Sequence, residues 1–330
     1  MRKRYYCKRL NETLNFDALK VFYCCATRTG PSCDIPSPKE IKEVLKKRNL
    51  LIKMLDKGIV PTECEGCFDL KEQKNPKPLI FSQFAKNPKA NLIIVKHFKQ
   101  CDCSCIYCCE QYLSNRKIVL KPQKSDYYDL LPIIKELYNK DLIDKQELDV
   151  HFQGGNVSVL EEFEDLVDIF IKNGVKRIEI ATNGIKYLPI VEEICDKTFV
   201  DINISIDSGC RETFKKIKTV DKFDDVVENL KKYSKLPILL RLKYILVRGV
   251  NDNIEELKKY IDLMKSIGIK TSELMIDQCD NEFLQNGEFI IPKYYYDLFD
   301  FYKNYCIENN IEPHIWEYIK EILEKGLFFK

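Results

Sequence analysis

Histidine, tryptophan and net charge are scarce in this sequence. It has His 3 and Trp 1 in 330 residues, so metal sites that mix histidine with cysteine have few histidines to use. Lys+Arg 53 nearly cancel Asp+Glu 51, and this balance argues against attraction of the whole chain to nucleic acid or an acidic membrane. We expect the basic segments Arg2–Arg4 and Lys8–Arg9 to form a solvated surface. Nucleic acid is therefore not an expected partner.

Long apolar runs are also missing. No stretch approaches the roughly 20 apolar residues that cross a bilayer, so we expect no membrane partner. The first residues, Met1–Cys7, are basic but lack the apolar run of a signal peptide. Cysteine, in contrast, is abundant: an odd number, 15, without an export signal favours a reducing compartment over a disulfide framework. We therefore expect a cytoplasmic protein whose thiols are buried small side chains or metal ligands.

Five of the cysteines lie within residues 101–109. They are Cys101, Cys103, Cys105, Cys108 and Cys109. Packing gives no reason for this density, and neighbouring thiolates repel one another unless a cation holds them, so the segment predicts a metal site. All-sulfur sites suit zinc or an iron–sulfur cluster.

The spacing Cys101-x3-Cys105-x2-Cys108 supplies three ligands from one loop. Three thiolates leave one iron of a [4Fe–4S] cluster open for a substrate or a cofactor. The alternative is a structural zinc site that Cys103 or Cys109 closes as the fourth ligand. If the site holds a cluster, we expect Cys103 and Cys109 to be bystanders.

From about residue 92 the sequence alternates between strand and helix patterns. The predicted strands are Leu92–His97, Glu147–Gln153, Arg177–Thr182, Asp201–Asp207, Leu239–Val247 and Ser272–Asp277. Helical patterns separate them, which indicates repeated β–α units around a parallel sheet. Because six units are too few for eightfold closure, we predict an α/β fold: a partial (β/α)6 TIM-like barrel with a small N-terminal metal-stapled domain.

The chemically informative residues follow the predicted strands. The cysteine loop comes after the first strand, Gly154-Gly155-Asn156 after the second, Thr182-Asn183-Gly184 after the third, and Ser205 and Asp207 close the fourth. In parallel β/α architectures the active site lies at the C-terminal ends of the strands. These four strand ends therefore predict one shared site.

The first ninety residues have a different pattern. Residues 13–23 predict a hairpin, and Ser37-Pro38-Lys39-Glu40 is a capping box that opens a helix to about Leu55. A unit this small usually needs a metal or another staple. The candidate ligands are Cys7, Cys24 or Cys25, Cys64 and Cys67, and their spacing suits iron–sulfur or zinc. The expected domains are 1–75 around this site, a linker at 76–90, the barrel at 91–280 and a helical extension at 281–330.

With the three-cysteine spacing after the first strand, and with Tyr107 before the third cysteine, the sequence resembles the radical SAM superfamily. The resemblance covers roughly residues 91–280. It implies that Cys101, Cys105 and Cys108 bind a [4Fe–4S] cluster whose open iron takes the amino and carboxylate groups of S-adenosylmethionine. It also implies reductive cleavage to methionine and a 5′-deoxyadenosyl radical that abstracts hydrogen from a substrate, with flavodoxin or ferredoxin as the kind of electron donor.

The same resemblance implies which residues bind the cofactor. They are Tyr107, Gly154, Gly155, Asn156, Thr182, Asn183, Ser205 and Asp207. The family usually has Gly-Gly-Glu where this chain has Gly154-Gly155-Asn156, so Asn156 offers a neutral carbonyl in place of a carboxylate. Arg241 and Lys243 on the fifth strand are both candidates to pair with the carboxylate of S-adenosylmethionine, and alternation does not choose between them.

The N-terminal region resembles the SPASM domain, which holds auxiliary iron–sulfur clusters. The features are a cysteine, a hairpin that runs into Cys24 and Cys25, and then Cys64-x2-Cys67. That domain usually follows the barrel and often holds two clusters, whereas this region precedes the barrel and has ligands for one. The resemblance implies a second [4Fe–4S] cluster, with zinc as the alternative.

Together these features predict a radical SAM enzyme that acts on a peptide or protein side chain. A small metabolite or a sugar is the alternative substrate. A non-catalytic iron–sulfur or zinc protein on the same fold is the alternative from another class, and Asn156 is the residue that favours it.

Overall fold

The computed structural model describes most of the chain. The described residues are 4–7, 10, 12–17, 20–23, 32–34, 41–65, 67, 70–72, 89–108, 128–277, 284–285, 288–316, 319–320, 323–324 and 328–329. They belong to two compact units, one of residues 1–99, 122–179 and 197–199, and the other of residues 100–121, 180–196 and 200–330.

The first unit contains seven complete strands and three α-helices among its described residues. Its strands are β1 (Tyr5–Tyr6), β2 (Thr13–Asp17), β3 (Lys20–Phe22), β4 (Ser32–Asp34), β5 (Lys71–Glu72), β6 (Leu92–Lys96) and β7 (Asp149–Phe152), and its helices are α1 (Ile41–Asp56), α2 (Leu131–Asn139) and α3 (Phe163–Lys172). Strand β6 pairs with β7 in parallel, as the β–α alternation predicts. The ring of Phe152 packs edge-on against Phe163 and Phe170 of α3, at centroid distances of 5.0 and 6.3 Å.

The predicted hairpin at residues 13–23 is present, and it extends the sheet of this unit. Strands β2 and β3 pair antiparallel, as do β3 and β4. Strand β2 also pairs in parallel with β6, so that the order within the unit is β4-β3-β2-β6-β7. The capping box at residues 37–40 lies outside the described residues, and the helix that it predicts is described from Ile41.

Strand β8 (Arg177–Thr182) begins in the first unit and ends in the second. The second unit continues with α4 (Ile190–Ile194), β9 (Phe199–Ser205), α5 (Arg211–Lys218), α6 (Phe223–Tyr233), β10 (Leu239–Leu246), α7 (Ile254–Ile267), β11 (Thr271–Ile276), β12 (Leu284–Gln285), β13 (Glu288–Phe289), β14 (Ile291–Pro292), α8 (Tyr294–Glu308), β15 (Glu312–Ile315) and β16 (Phe328–Phe329). Strands β9, β10, β11 and β15 pair side by side, all parallel.

The two faces of this parallel sheet differ in polarity. On β9, Val200, Ile202 and Ile204 are buried on one face, while the residues between them, Asp201 and Asn203, are buried on the other. Parallel strands are normally apolar on both faces because helices cover them. A polar second face therefore indicates a surface that lines a site.

The structure confirms the predicted α/β fold with a parallel sheet, and the six predicted strands match β6 to β11 to within about two residues at each end. Helix α5 and the strands β12 to β16 of the second unit were not predicted. Helix α5 is short and mostly charged, and β15 follows a helix in a segment for which only helical patterns were expected. The domain borders stay predictions. Within the described residues, no helix combines the length and the apolar character that a membrane span requires.

Candidate functional site

The cysteine loop of residues 101–108 follows β6 and brings several sulfur atoms together. The Cys103 Sγ lies 3.6 Å from the Cys101 Sγ and 3.6 Å from the Cys105 Sγ. Cys108 lies in the same turn, where its N–H donates to the carbonyl oxygen of Cys105 at 3.0 Å. Ligand atoms of Cys101, Asp102 and Cys103 lie within 4.8 Å of one another. A donor set this rich in thiols suits zinc or an iron–sulfur cluster, and it fits the [4Fe–4S] cluster that the sequence predicts.

Crowding alters the acidity of these thiols. The hydrogen bond with Cys101 and burial raise the pKa of Cys103 to about 12. The hydrogen bond with Cys103 and burial raise the pKa of Cys105 well above its usual value. Metal binding requires thiolates and releases their protons, so this site gains its ionised form by binding a cation.

Asn183 binds the cysteine loop from the end of β8. Its Nδ2 donates to the Asp102 Oδ1 at 2.5 Å and to the Cys103 Sγ at 3.3 Å, and it lies 3.8 Å from the Cys101 Sγ. The N–H of Ile185 donates to the Asn183 Oδ1 at 3.0 Å and so fixes the amide with its nitrogen toward the sulfurs. Thr182 accepts from the N–H of Gly184 at 3.2 Å, which holds the turn. The third predicted strand end thus contacts the cysteine loop.

A buried ion pair lies beside the loop. The Lys218 ammonium contacts the Asp207 Oδ2, and the two side chains are 1% and 0% exposed. The Tyr107 hydroxyl donates to the same Asp207 oxygen at 2.5 Å and accepts from the Lys218 Nζ at 2.8 Å. Asp207 also accepts from the N–H of Ile245 through Oδ1 at 2.8 Å. Both predicted residues, Tyr107 and Asp207, are therefore brought together, and the sequence reasoning missed their third member, Lys218.

Asp207 is placed by its own backbone and by Asn251. Its φ of 58° is left-handed, a conformation that aspartate tolerates better than most residues. The Asn251 Nδ2 donates to the Asp207 carbonyl oxygen at 2.9 Å, and the Asn251 Oδ1 accepts from the N–H of Val247 at 2.7 Å. This network holds the ends of β9 and β10 in register around the buried carboxylate.

The polar face of the second unit carries a second layer of charges. Arg241 binds Asp201 through two hydrogen bonds of 2.9 Å, and its third nitrogen lies 3.5 Å from Glu273. Glu273 also accepts from the Asn203 Nδ2 at 2.6 Å and from the Trp316 indole N–H. Arg241 is thus already neutralised by carboxylates on the neighbouring strands.

Lys243 occupies a different environment. In the sheet, Lys243 lies between Ser205 on β9 and Glu273 on β11, which are its register partners. Within the described residues, no hydrogen bond or ion pair engages its ammonium. Of the two cations that the sequence left open, Lys243 is the one with a charge available for a ligand.

An apolar layer lies beyond these charges at the strand ends. Ile245, Val247 and Met275 form a buried cluster against which Ile106, Tyr107 and Val250 pack. Apolar walls with a few convergent polar groups are typical of ligand sites. The cysteine loop itself contributes Ile106 and Tyr107 to this wall.

The predicted residues of the second strand end belong to the first unit. Gly154 has a φ of +106°, and the N–H of Gly155 donates to the Phe98 carbonyl oxygen at 3.4 Å. Asn156 is buried, and its Nδ2 donates to the Ser158 Oγ at 2.7 Å. The glycine pair therefore forms a close turn against the segment after β6, as its backbone freedom allows.

The cysteines of the predicted auxiliary site are described only in part. Cys24 and Cys25 lie outside the described residues, whereas Cys7 and Cys64 are buried and Cys67 is half-buried. Strand β1 pairs with β5, so Tyr6 lies opposite Lys71 close to both segments that carry these cysteines. The N–H of Cys67 donates to the Cys64 carbonyl oxygen at 3.2 Å in a tight turn.

Two site residues, Asp102 and Lys218, were not found by sequence reasoning. Asp102 stands between Cys101 and Cys103, but the ligands predicted for this segment were its cysteines alone. Lys218 ends a helix whose last turn also contains Lys215 and Lys216, and nothing in that pattern distinguishes a buried lysine from exposed ones.

The comparisons with known proteins show the family and the fold of the chain. A sequence profile of the Radical SAM superfamily matches residues 95–264, just over half of the 330 residues. A probable GTP 3′,8-cyclase of Pyrococcus abyssi is 26% identical over 157 residues, which is 47% of each chain. A GTP 3′,8-cyclase of Clostridium botulinum is 24% identical over 191 residues, 57% of each chain. The chain thus spans about half the length of these curated relatives.

Solved structures show the same fold at low identity. SuiB of Streptococcus suis, bound to its precursor peptide SuiA, matches with a TM-score of 0.52 and 12% identity, covering 95% of this chain and 71% of that one. SuiB bound to S-adenosylmethionine matches with a TM-score of 0.50 and 10% identity, covering 94% and 71%. At these identities the likeness concerns the fold alone.

Proposed function

The chain belongs to the radical SAM superfamily, an enzyme class that uses a [4Fe–4S] cluster and S-adenosylmethionine, and we propose that Cys101, Cys105 and Cys108 hold that cluster. The observation that carries this proposal is that the Cys101 and Cys105 sulfurs each lie 3.6 Å from the Cys103 Sγ, so that both approach one point of the loop. Cys108 follows in the same turn, where its N–H donates to the Cys105 carbonyl oxygen. Asn183 orients the loop, and Lys218 supplies a buried positive charge near thiolates that would otherwise repel one another.

A reduced cluster held by Cys101, Cys105 and Cys108 would supply the electron for reductive cleavage of S-adenosylmethionine to methionine and a 5′-deoxyadenosyl radical, the species that would take a hydrogen atom from the substrate. The protein's part is to bind, orient and exclude water. The layer of Ile245, Val247 and Met275 keeps water from the strand ends. A flavodoxin or ferredoxin is the proposed source of the electron.

We propose that Lys243, and not Arg241, pairs with the carboxylate of S-adenosylmethionine. Arg241 is already held by Asp201 and Glu273, so turning it to a ligand would leave buried carboxylates without a partner. Lys243→Met should weaken binding of S-adenosylmethionine about tenfold or more, as loss of a charge-assisted contact does. Calorimetric titration of the cluster-loaded protein measures this, and undiminished affinity would contradict the assignment.

The Gly154-Gly155-Asn156 turn is proposed to receive the amino group of S-adenosylmethionine through backbone and amide carbonyls. Asn156 cannot supply the negative charge that a glutamate supplies at this place. Asn156→Glu should therefore tighten binding if the amino group is received here. Unchanged or weaker binding would favour the non-catalytic alternative, in which this turn has no such role.

We also propose a second [4Fe–4S] cluster at Cys7, Cys24 or Cys25, Cys64 and Cys67, with zinc as the alternative. The support is the Cys-x2-Cys turn beside the β1–β5 pair. Such a cluster relays an electron or anchors the substrate. Metal analysis of Cys64→Ala/Cys67→Ala tests the proposal: loss of about four irons per chain supports it, and loss of zinc with no loss of iron contradicts it.

For the substrate we propose a peptide or protein side chain. SuiB, which shares the fold, has been solved with its precursor peptide. The similarity of this chain to GTP 3′,8-cyclases supports a small metabolite, GTP, as the second candidate. Consumption of S-adenosylmethionine in the presence of GTP or of candidate peptides discriminates the two.

Iron content tests the cluster ligands most simply. After anaerobic reconstitution, Cys101→Ala, Cys105→Ala and Cys108→Ala should each lose most of the iron of this cluster. Cys195→Ala serves as the matched control because the Cys195 thiol donates to the Glu192 carbonyl oxygen on the preceding turn of α4, at 3.4 Å. Cys103→Ala should keep its iron if Cys103 is a bystander, whereas loss of iron would make it a ligand.

A further inference from the structure

We propose that Trp316 is a substrate-contacting residue: its ring forms a flat, uncharged surface on which an aromatic side chain of the peptide substrate stacks. This inference rests on the proposed function, since it takes a peptide as the substrate. It deepens that proposal by naming the class of side chain: phenylalanine, tyrosine or tryptophan.

The first step is the place of Trp316 in the fold. It directly follows β15, on which His314 pairs with Glu273 of β11. Side chains two residues apart share a face of a sheet, so Trp316 lies on the polar face of the second unit, level with Met275 of β11. The C-terminal ends of parallel strands are where the active sites of β/α folds lie.

The second step is the orientation of the indole. Its N–H donates to the Glu273 Oε1, and this carboxylate side chain is only 4% exposed. Glu273 is itself held by the Asn203 Nδ2, which donates to it at 2.6 Å. The ring nevertheless remains at the surface, because Trp316 is 44% exposed. Tryptophan is normally highly buried. A ring that is exposed, yet fixed at its polar end by a buried partner, is preorganised to stack with another ring.

The third step is the apolar wall beside this position. Met275 belongs to the buried cluster with Ile245 and Val247, against which Ile106 and Tyr107 of the cysteine loop pack. The apolar surface thus continues from the level of the indole to the loop that is proposed to hold the cluster. A ring at this place would have apolar neighbours on the side where hydrogen abstraction is proposed to occur.

The fourth step is the charge of this face. Arg241 is already paired with Asp201 and Glu273, and Lys243 is proposed to pair with the carboxylate of S-adenosylmethionine. A nucleoside triphosphate brings several negative charges, which need cations that are not already engaged. These pairings therefore favour an uncharged aromatic side chain over GTP, and GTP is an outcome that the experiment distinguishes.

The experiment uses the fluorescence of Trp316, which is the single tryptophan of the chain. It measures quenching of this fluorescence by acrylamide in the reconstituted protein. The probe is N-acetylphenylalaninamide, and N-acetylleucinamide is the matched control without a planar ring. At about 10 mM probe, above the Kd on the order of 1 mM that a ligand of this size allows, the quenching constant should fall about twofold with the phenylalanine amide. It should not change with the leucine amide.

Three results would overturn the inference. Equal protection by the two amides would exclude stacking, and no protection by any probe would exclude the contact. Protection by GTP and not by the phenylalanine amide would assign the ring to a nucleobase. Failure of the parent protein to bind a cluster, while the phenylalanine amide still protects Trp316, would instead refute the proposed function and not the contact.

Glu273→Gln tests whether the carboxylate holds the indole. The fluorescence anisotropy of Trp316 should fall and the protection by the phenylalanine amide should weaken, because a neutral amide binds the indole N–H less strongly. Glu312→Gln is the matched control, since Glu312 is exposed on β15, and it should change neither quantity. If Glu273→Gln does not fold, the result with the parent protein decides.

Discussion

Gly154 shows how a single residue fits the turn after β7. Its φ is +106°, and a Cβ at this position would lie 2.8 Å from the Phe98 carbonyl oxygen. Both the backbone conformation and the space therefore require glycine. Gly174 also has a positive φ, +76°, but nothing lies within 4 Å of the position of a Cβ. Substitution of Gly174 therefore tests the cost of the backbone conformation alone, whereas substitution of Gly154 adds the cost of the steric contact.

Gly154→Ala should lower the free energy of unfolding more than Gly174→Ala. Alanine at Gly174 should cost about 1 kcal/mol for the left-handed backbone alone. At Gly154 the clash with the Phe98 carbonyl oxygen adds to that cost, because backbone must move to relieve it. Urea unfolding of both variants measures the difference, and equal losses would contradict the close approach.

The Asn183 Nδ2 donates to the Asp102 carboxylate and the Cys103 Sγ of the cysteine loop and lies 3.8 Å from the Cys101 Sγ. Asn183→Asp keeps the shape but replaces the donor with a negative charge beside Asp102 and the sulfurs. We expect release of iron to a chelator to accelerate roughly tenfold, since like charges and a lost hydrogen bond act together. Asn173→Asp, the same change at the end of α3, is the control. An unchanged rate in Asn183→Asp would contradict the role of this amide.

At the scale of elements, the residue that ends α5 has a strained backbone and also holds the cysteine loop. Thr219 has a φ of 62°, which favours glycine, yet its hydroxyl binds the Ser104 carbonyl oxygen of the cysteine loop. Thr219→Gly should therefore relieve strain and leave the free energy of unfolding equal or higher. The same change should speed the loss of iron to a chelator several-fold, because the loop loses a hydrogen bond.

Asn310→Gly is the control for this element. Asn310 also has a positive φ, 56°, but it follows α8. It should gain stability without any change in the loss of iron. Equal rates of iron loss in both variants would show that the Thr219 hydroxyl does not anchor the loop.

The pairing of β2 with β6 predicts that the free energy of unfolding depends on pH. Asp17 at the end of β2 lies opposite Lys96, and its carboxylate binds the Lys96 and Lys99 ammonium groups at 3.1 and 2.8 Å. Burial alone would raise the pKa of Asp17, but the two lysines outweigh it and lower the pKa below its ordinary 3.8. The unfolded chain then binds the proton more readily than the folded one. The stabilisation is complete above the unfolded value and is lost as the pH falls through the lower, folded value.

Asp17→Asn should remove this dependence. Urea unfolding from about pH 6 down to about pH 3 should show the parent losing stability more steeply than Asp17→Asn, with the two converging in acid. Asp168→Asn is the control, because the Asp168–Lys172 pair is exposed on α3 and contributes little. Parallel curves for the parent and Asp17→Asn would contradict the pairing.

At the scale of the whole molecule, local patterns predicted most of the fold. The alternation of strand and helix patterns along the chain revealed β6 to β11. It could not reveal that β2 pairs with β6, because the choice of a parallel partner depends on contacts distant in sequence. For the same reason β15, which joins β11, was missed.

The sequence predicted the cysteine loop of the candidate site but not the contacts that surround it. Cysteine spacing identified the loop, since five cysteines in residues 101–109 have no packing explanation. The bonding of Tyr107 to Asp207 and the contact of Asn183 with the loop required the structure, because their partners lie about 80 to 100 residues away in the chain. The burial of Lys218 was hidden for the same reason.

The central claim is that this chain cleaves S-adenosylmethionine reductively at a cluster held by Cys101, Cys105 and Cys108. The most direct measurement is the amount of 5′-deoxyadenosine formed by anaerobically reconstituted protein with S-adenosylmethionine and a strong reductant. We predict formation of 5′-deoxyadenosine by the parent and by Cys195→Ala, and none by Cys101→Ala/Cys105→Ala/Cys108→Ala. Absence of 5′-deoxyadenosine from a parent protein with a fully loaded cluster, together with no binding of S-adenosylmethionine, would contradict the claim.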